Sequence, residues 1–277
     1  MLTTSCQSQP ERVNWGKTWS NYSRPYCNMF KPPQITLSCK SRVKLSFVPD
    51  SVTLISWNIY KINHKNPIDF QHFIKSLQQA YNAGFYCLQE AKHTDSSSFP
   101  LDDFCLHFAP NLQLKTHAYG VMSASGVVCH KAQQILSKKT EFLFKTHKSS
   151  LANHYFFGDH TPLIIINVHA INFNNSRAYA EEINQLHDYL SIHKNAAVII
   201  AGDFNSWNKK RNLLIHEFCQ ALDLTQTVFE EDQHIKRFAK HPLDLVMYRN
   251  LTCEYAIAID SQKISDHNPL LVKFRKT

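Results

Sequence analysis

Several apolar, β-prone runs of this chain have a carboxylate, an amide or an imidazole at one end: LISWN at 54–58, LQE at 88–90, AGDFN at 201–205 and SDHNPLL at 265–271. NVHAINF at 167–173 repeats the pattern between them. Near-continuous apolar runs such as LIIINVH (163–169) and AVIIAG (197–202) form strands buried on both faces. In layered folds, ligands sit where the ends of such strands converge. The polar ends run from Asn58 to His267, so any cut between them would divide the set. One domain over residues 43–277 is therefore expected.

The rest of the chain alternates in the same sense. VTLISW (52–57), FYCLQ (85–89), SGVVCH (125–130), NHYFFGD (153–159), LDLVMY (243–248) and LLVKF (270–274) read as strands. Phe70, Phe73, Ile74, Leu77 and Tyr81 have the spacing of an amphipathic helix, with Gly84 as its stop. Ile183, Leu186 and Leu190 carry the inner face of a helix over 177–193, and another covers 209–222. Strands alternating with helices and hairpin-like pairs indicate a layered α/β fold. Residues 1–42 are rich in Ser, Asn, Pro and basic residues, with aromatics in no regular period. They are expected to form an irregular extension.

A 43% hydrophobic and 12% aromatic composition excludes a disordered or fibrous chain. The net charge of +8 suits a polyanionic partner, either nucleic acid or an anionic membrane surface. The basic runs are short, however, and a solvated face explains Lys148, Lys209, Lys210, Arg211, Lys236 and Arg237 as well as the rim of a groove does. No stretch approaches the roughly 18 apolar residues of a membrane span. The eight cysteines form no CxxC pair or zinc-type spacing, and no secretory leader is visible. A cytoplasmic protein with free thiols is expected; secretion without a cleaved leader leaves no such mark. No residue pattern specifies an oligomeric state.

The strand-end residues define a chemistry. Glu90 beside the amide oxygen of Asn58 is a hard-cation site, suited to Mg²⁺ or, as an alternative, Mn²⁺. After a buried strand, Gly202 allows a tight exit that presents Asp203 and Asn205. Asp203 can hold an attacking water as general base, while Asn205 donates to a phosphoryl oxygen. Asp266 and His267 face opposite ways on an extended strand, so His267 needs another carboxylate to orient it. Asp244 is the candidate, because an unpaired Asp midway along a strand would be costly. Asp266 is then free to approach the metal, and His169 is the second imidazole.

The order WN…QE…H…GDFN…LD…SDH resembles the endonuclease/exonuclease/phosphatase superfamily, which includes DNase I-like nucleases, sphingomyelinases and phosphoinositide phosphatases. Over roughly residues 50–275, the stretches WNIYK, NVHAINF, AGDFNSWNKKR, DDQHIKRFAKHPLDLVMYRNL and SDHNPLLVKF are similar to its YafD-type branch. The resemblance implies a four-layered α/β sandwich with two central β-sheets flanked by helices. It implies a metal-dependent phosphodiesterase with Glu90, Asn58 and Asp266 at the metal. His169, Asp203, Asn205, Asp244 and His267 would be catalytic, with the roles of the two imidazoles left open. Lys92 stands where DNase I-like nucleases carry a DNA-contacting Arg, which makes it a substrate-binding candidate. DNA or RNA is the leading substrate. A phosphorylated lipid or inositol head group is the alternative, and a catalytically silent binding protein is a second. His169 in place of Tyr argues against the apurinic-site endonucleases, and Ser206-Trp207 after GDFN against the inositol 5-phosphatases.

Overall fold

The computed structural model describes residues 36–39, 43, 45–94, 99–138, 146–172 and 176–277. In chain order its strands are β1 (Thr36–Cys39), β2 (Ser51–Asn58), β3 (Phe85–His93), β4 (Cys105–Gln113), β5 (Ala118–Ser125), β6 (Lys131–Leu136), β7 (Ser149–Phe156) and β8 (Pro162–His169). They continue as β9 (Ala197–Asp203), β10 (Thr225–Gln226), β11 (Arg237–Phe238), β12 (His241–Pro242), β13 (Asp244–Arg249), β14 (Leu251–Ala258) and β15 (Leu270–Lys276). The helices are α1 (Ile62–Lys65), α2 (Pro67–Tyr81), α3 (Ser176–Ser191) and α4 (Lys209–Ala221).

Among the described residues, one sheet runs β1-β4-β5-β3-β2-β15-β14 and a second β10-β13-β9-β8-β7-β6; β11 and β12 form a separate ribbon. Alternation along the buried strands divides their side chains between layers. Leu54, Phe85, Leu163, Ile165 and Ile199 meet in the core between the sheets. Their sequence neighbours Ile55 and Tyr86 pack under α2, while Ile164, Ile166, Val198 and Ile200 pack under α3 and α4. The result is the four-layered sandwich, helices outside and two sheets within. The apolar runs are explained by this arrangement, since strands covered on both faces need no polar side.

Helix α2 starts at Asn66, whose side chain accepts from Asp69 N, with Pro67 in its first turn. It ends on Asn82 in the left-handed region, two residues before the expected Gly84 stop. The strand expected at 125–130 is reduced to an isolated bridge at Val127, and β6 begins at Lys131 instead. β6 is a polar edge strand (KAQQIL), so it carries little apolar signal. β4 and β5 went unpredicted because β4 holds Pro110 beside a bulge and β5 is built largely of Ala, Ser and Gly.

Thr36–Cys39, within the stretch expected to be irregular, pairs antiparallel with β4, so the first sheet begins before residue 43. The remainder of that stretch up to residue 35 lies outside the described residues. Cys87, Cys129, Cys219 and Cys253 are free thiols, as expected. Cys105 is instead disulfide-bonded. No helix among the described residues is long and apolar enough to cross a membrane.

Candidate active site

The two sheets each supply half of one polar cluster. The first brings Asn58 at the end of β2, Glu90 on β3 and His267 just before β15; the second brings His169 at the end of β8, Asp203 at the end of β9 and Asp244 at the start of β13. β2 and β3 run parallel, as do β8 and β9, so their C-terminal ends open on the same edge. His169 and Asp203 are register partners, and Asp203 is also paired with Asp244.

Asp203 is the centre of the cluster. Its Oδ2 accepts from Asn58 Nδ2 at 3.0 Å. It lies 3.9 Å from both His169 Nε2 and His267 Nε2. His267 Nδ1 pairs with Asp244 Oδ2 at 2.8 Å, the orienting contact expected from sequence. Glu90 Oε1 stands 3.5 Å from Asn58 Nδ2 and 3.8 Å from His169 Nε2.

Local backbone features put these groups in place. The β3–β5 register shifts between Leu88 and Ala91, a bulge in which Glu90 takes a left-handed φ of 53°. Tyr60, Lys61 and Asn205 are also left-handed; such strain collects where a site over-determines the chain. Asn205 N donates to Asp203 Oδ1 at 3.0 Å, and its Nδ2 to Ala170 O at 3.0 Å. Trp57 Nε1 donates to His267 O, and Ser265 Oγ to Asn58 O, joining β2 to the loop before β15. Arg211, for which the sequence left a solvated face and a groove rim open, is fully buried. From the first turn of α4 its guanidinium reaches inward to the carbonyls of Ile171, Asn172 and Asn205, so it braces the site loops from behind.

Charge differs from group to group. Burial raises the Asp203 carboxyl, with Asp244 adding to it and His267 opposing, to about 6. Burial would also raise Glu90, but His169, Lys61 and Lys148 outweigh it and hold the carboxyl at about 2. Burial lowers His169 well below the ordinary imidazole range, helped by Lys148. For His267 burial acts downward too, yet Asp244 and Asp203 prevail and lift it to about 9. At neutral pH His267 is therefore the cationic imidazole and His169 the neutral one, a distinction the sequence left open.

This has a consequence for stability. A histidine raised from 6.5 to about 9 on folding stabilises the fold fully below its unfolded value and loses that contribution as pH rises through 9. In chelator, wild type is expected to lose on the order of 3 kcal/mol between about pH 6.5 and 9. Asp244→Asn should be nearly flat across that window in urea unfolding; parallel pH profiles would remove the Asp244–His267 pair as the source.

Two lysines join the cluster without having been singled out as part of it. Lys61 Nζ sits 3.2 Å from Glu90 Oε2, and Lys148 Nζ 3.1 Å from His169 Nε2. In the sequence a solvated face explains Lys148 as well as a groove rim does, and Lys61 lies in WNIYK without a separate signal. Lys92 lies farther out, its Nζ 2.8 Å from His64 Nε2 and over the Tyr119 ring. Asp266 is half exposed and ion-paired to Lys236 at 3.5 Å. A cavity of about 630 Å³ lies at the other end of the first sheet, against Ser51, Thr53, Gly84 and Phe85, away from all of these groups.

The donor set fits a hard divalent cation. Glu90 is held ionised and already draws an ammonium to its open side. Asn58 turns Nδ2 toward Glu90 and Asp203 while its Oδ1 accepts from Tyr60 N, so its oxygen reaches a cation only by giving up the Tyr60 bond. Asp203, Asp244 and His267 also bring donor atoms within 4.8 Å of one another. Because His267 Nδ1 is committed to Asp244 and the ring favours its charged form, that trio reads as a relay.

Residues 55–267 match the endonuclease/exonuclease/phosphatase family. The chain belongs to this family. A UPF0294 protein of Photorhabdus laumondii, of the YafD type, is 32% identical over 228 residues, spanning 81% of this chain and 84% of that protein. The catalytic domain of human Nocturnin, solved with a bound sulfate, superposes with a TM-score of 0.65 at 17% identity, over 88% of this chain and 98% of that one. D. rerio TDP2, solved with a single-strand DNA product, gives 0.57 at 14%, over 82% and 99%. These two likenesses establish the fold. Family members are generally hydrolases of phosphoesters.

Proposed function

We propose that the chain is a Mg²⁺-dependent phosphodiesterase that attacks with water and acts on DNA or RNA. The carrying observation is the placement of Asp203, buried between the Asn58–Glu90 pair and the Asp244-oriented His267. Glu90 and Asn58 would hold the ion, with Asp266 as the third candidate ligand from the rim; Mn²⁺ is the alternative metal. When bound, the cation polarises a phosphoryl oxygen and offsets its charge.

The chain's own groups supply the rest. Asp203, ionised at neutral pH yet raised toward it, takes the proton of the attacking water; a base works best near the operating pH. His267, cationic and fixed by Asp244, binds a phosphoryl oxygen or protonates the leaving oxygen. Asn205 keeps one amide hydrogen beyond its bond to Ala170 O, available to the phosphate. His169, neutral beside Lys148, serves as a hydrogen-bonding partner while the lysine carries positive charge. A net charge of +8 and the position of Lys92 support a nucleic acid substrate, as does the DNA-bound TDP2 relative.

A panel of supercoiled plasmid, single-stranded DNA, RNA, sphingomyelin and inositol phosphates, each titrated with Mg²⁺, tests this reading. Cleavage of the nucleic acids is expected; turnover confined to the lipid or inositol compounds would overturn the substrate assignment. Within the same assay Glu90→Gln should raise the Mg²⁺ concentration for half-activation at least about tenfold with thermal stability retained. An unchanged Mg²⁺ requirement would remove Glu90 from the metal site.

A further inference from the structure

The face shared by the two sheets changes character as it approaches the site. Below it lie Leu54, Cys87, Ile165 and Ile199, all in the inter-sheet core. One step up, on alternate residues of β2, β3 and β8, stand Ser56, Gln89 and Asn167; one step further come Asn58 and His169, joined by Glu90 from the bulge directly after Gln89. Gln89 and Asn167 are completely buried. Gln89 Nε2 donates to Asn167 Oδ1 at 2.7 Å, a direct bond from the first sheet to the second. Asn167 Nδ2 in turn donates to Met122 O at 2.9 Å and Leu88 O at 3.2 Å, and so grips both β5 and β3.

This bridge is poorly arranged for stability alone. Gln89 Oε1 is buried with no hydrogen-bond partner, and an orphaned buried acceptor is a cost that apolar residues of the same shape would avoid. Its position is informative. Gln89 precedes Glu90 and is the register partner of Asn58. Asn167 lies two residues before His169, which is itself the register partner of Asp203. The amide pair, with the further bonds of Asn167 Nδ2 to Met122 O and Leu88 O, therefore links the strand segments that carry the two halves of the cluster. Apolar packing between sheets tolerates small changes in separation, whereas a 2.7 Å hydrogen bond does not. The site needs the latter, since catalytic groups must hold to within about 0.5 Å.

We propose that Gln89 and Asn167 are positioning residues: their amide pair fixes the gap between the two sheets beneath the cluster. The kinetic part of the test rests on the phosphodiesterase reading; the structural part does not. Gln89→Leu/Asn167→Leu is compared with wild type and with the swapped pair Gln89→Asn/Asn167→Gln, which keeps the summed side-chain length. Crystal structures report the Asn58–Asp203 Cα separation, thermal melts the stability, and steady-state kinetics kcat and KM.

The expected outcome for the leucine pair is a folded protein with a Tm lowered by the donors that Met122 O and Leu88 O lose, and a separation altered by about 0.5 Å or more. kcat should fall about 10- to 100-fold, with KM within about twofold, because displacement of about 1 Å costs up to about 10²-fold. The swapped pair should recover the wild-type separation and most of kcat. Wild-type separation and kcat in the leucine pair would overturn the proposal, as would its failure to fold, which would assign the bridge to stability. If wild type hydrolyses no substrate, the functional reading falls and the separation alone decides this inference.

Discussion

Asp203→Asn is expected to slow phosphodiester hydrolysis by on the order of 10²–10⁴-fold, the range for removing a positioned acid–base group. The substitution preserves shape, but its single oxygen can accept from Asn58 Nδ2 or from Asn205 N and not from both. What disappears is the one carboxylate that lies within reach of Asn58 and both imidazoles. Stability should move the other way. Folding raises this carboxyl from 3.8 to about 6, so the protonated form is favoured in the native state. This carboxyl's contribution to stability is therefore lost as pH rises from about 4 through 6, and a side chain that does not titrate escapes that loss. Relative to wild type, Asp203→Asn should gain stability as pH rises from about 4 to 7 while being nearly inactive throughout. A variant with near wild-type turnover, or one whose activity falls only in step with its Tm, would contradict the assignment.

The largest effect on the fold is expected from Gly202→Ala. Gly202 has a φ of 151°, and a Cβ there would stand 1.9 Å from Val168 O and 2.8 Å from Val168 C. The obstruction is backbone, in the neighbouring strand, so no side-chain rotation relieves it. Either β8 and β9 separate or the strand exit is rebuilt. Both routes disturb His169 and Asp203, which are paired one position further along. A destabilisation on the order of 4 kcal/mol or more is expected in urea unfolding, in the range reserved for strained backbone and overpacked cores. A loss below about 1 kcal/mol would show that the β8–β9 contact is not rigid.

The layered fold and several contacts within the cluster were legible in the sequence. Asp244 was legible as the partner of His267 because a lone carboxylate midway along an apolar strand demands one, and the 2.8 Å contact is there. Gly202 was legible as a tight exit, though the Val168 carbonyl that makes it obligatory belongs to another strand. Strands β8 and β9 announced themselves because both faces are covered. β5, made mostly of small residues, and the polar edge strand β6 did not, since their strand character comes from neighbours in the sheet. Lys61 and Lys148 were hidden for a similar reason: a lysine's reach depends on where the loop leaves it. Arg211 shows the opposite error, a basic residue in a basic run that folds inward to hold three carbonyls. The polar switch at Ser56, Gln89 and Asn167 is present in the strand alternation, but only the pairing of two sheets reveals that Gln89 and Asn167 meet.

The most direct test is turnover of single-stranded DNA by the purified protein in ¹⁸O-labelled water, with Mg²⁺ and then with excess chelator. Cleavage in Mg²⁺ should incorporate one label per new phosphate end, and chelation should abolish it. Absence of cleavage above the level of folded Asp203→Asn, or cleavage indifferent to chelation, would contradict a metal-dependent attack by water at this site.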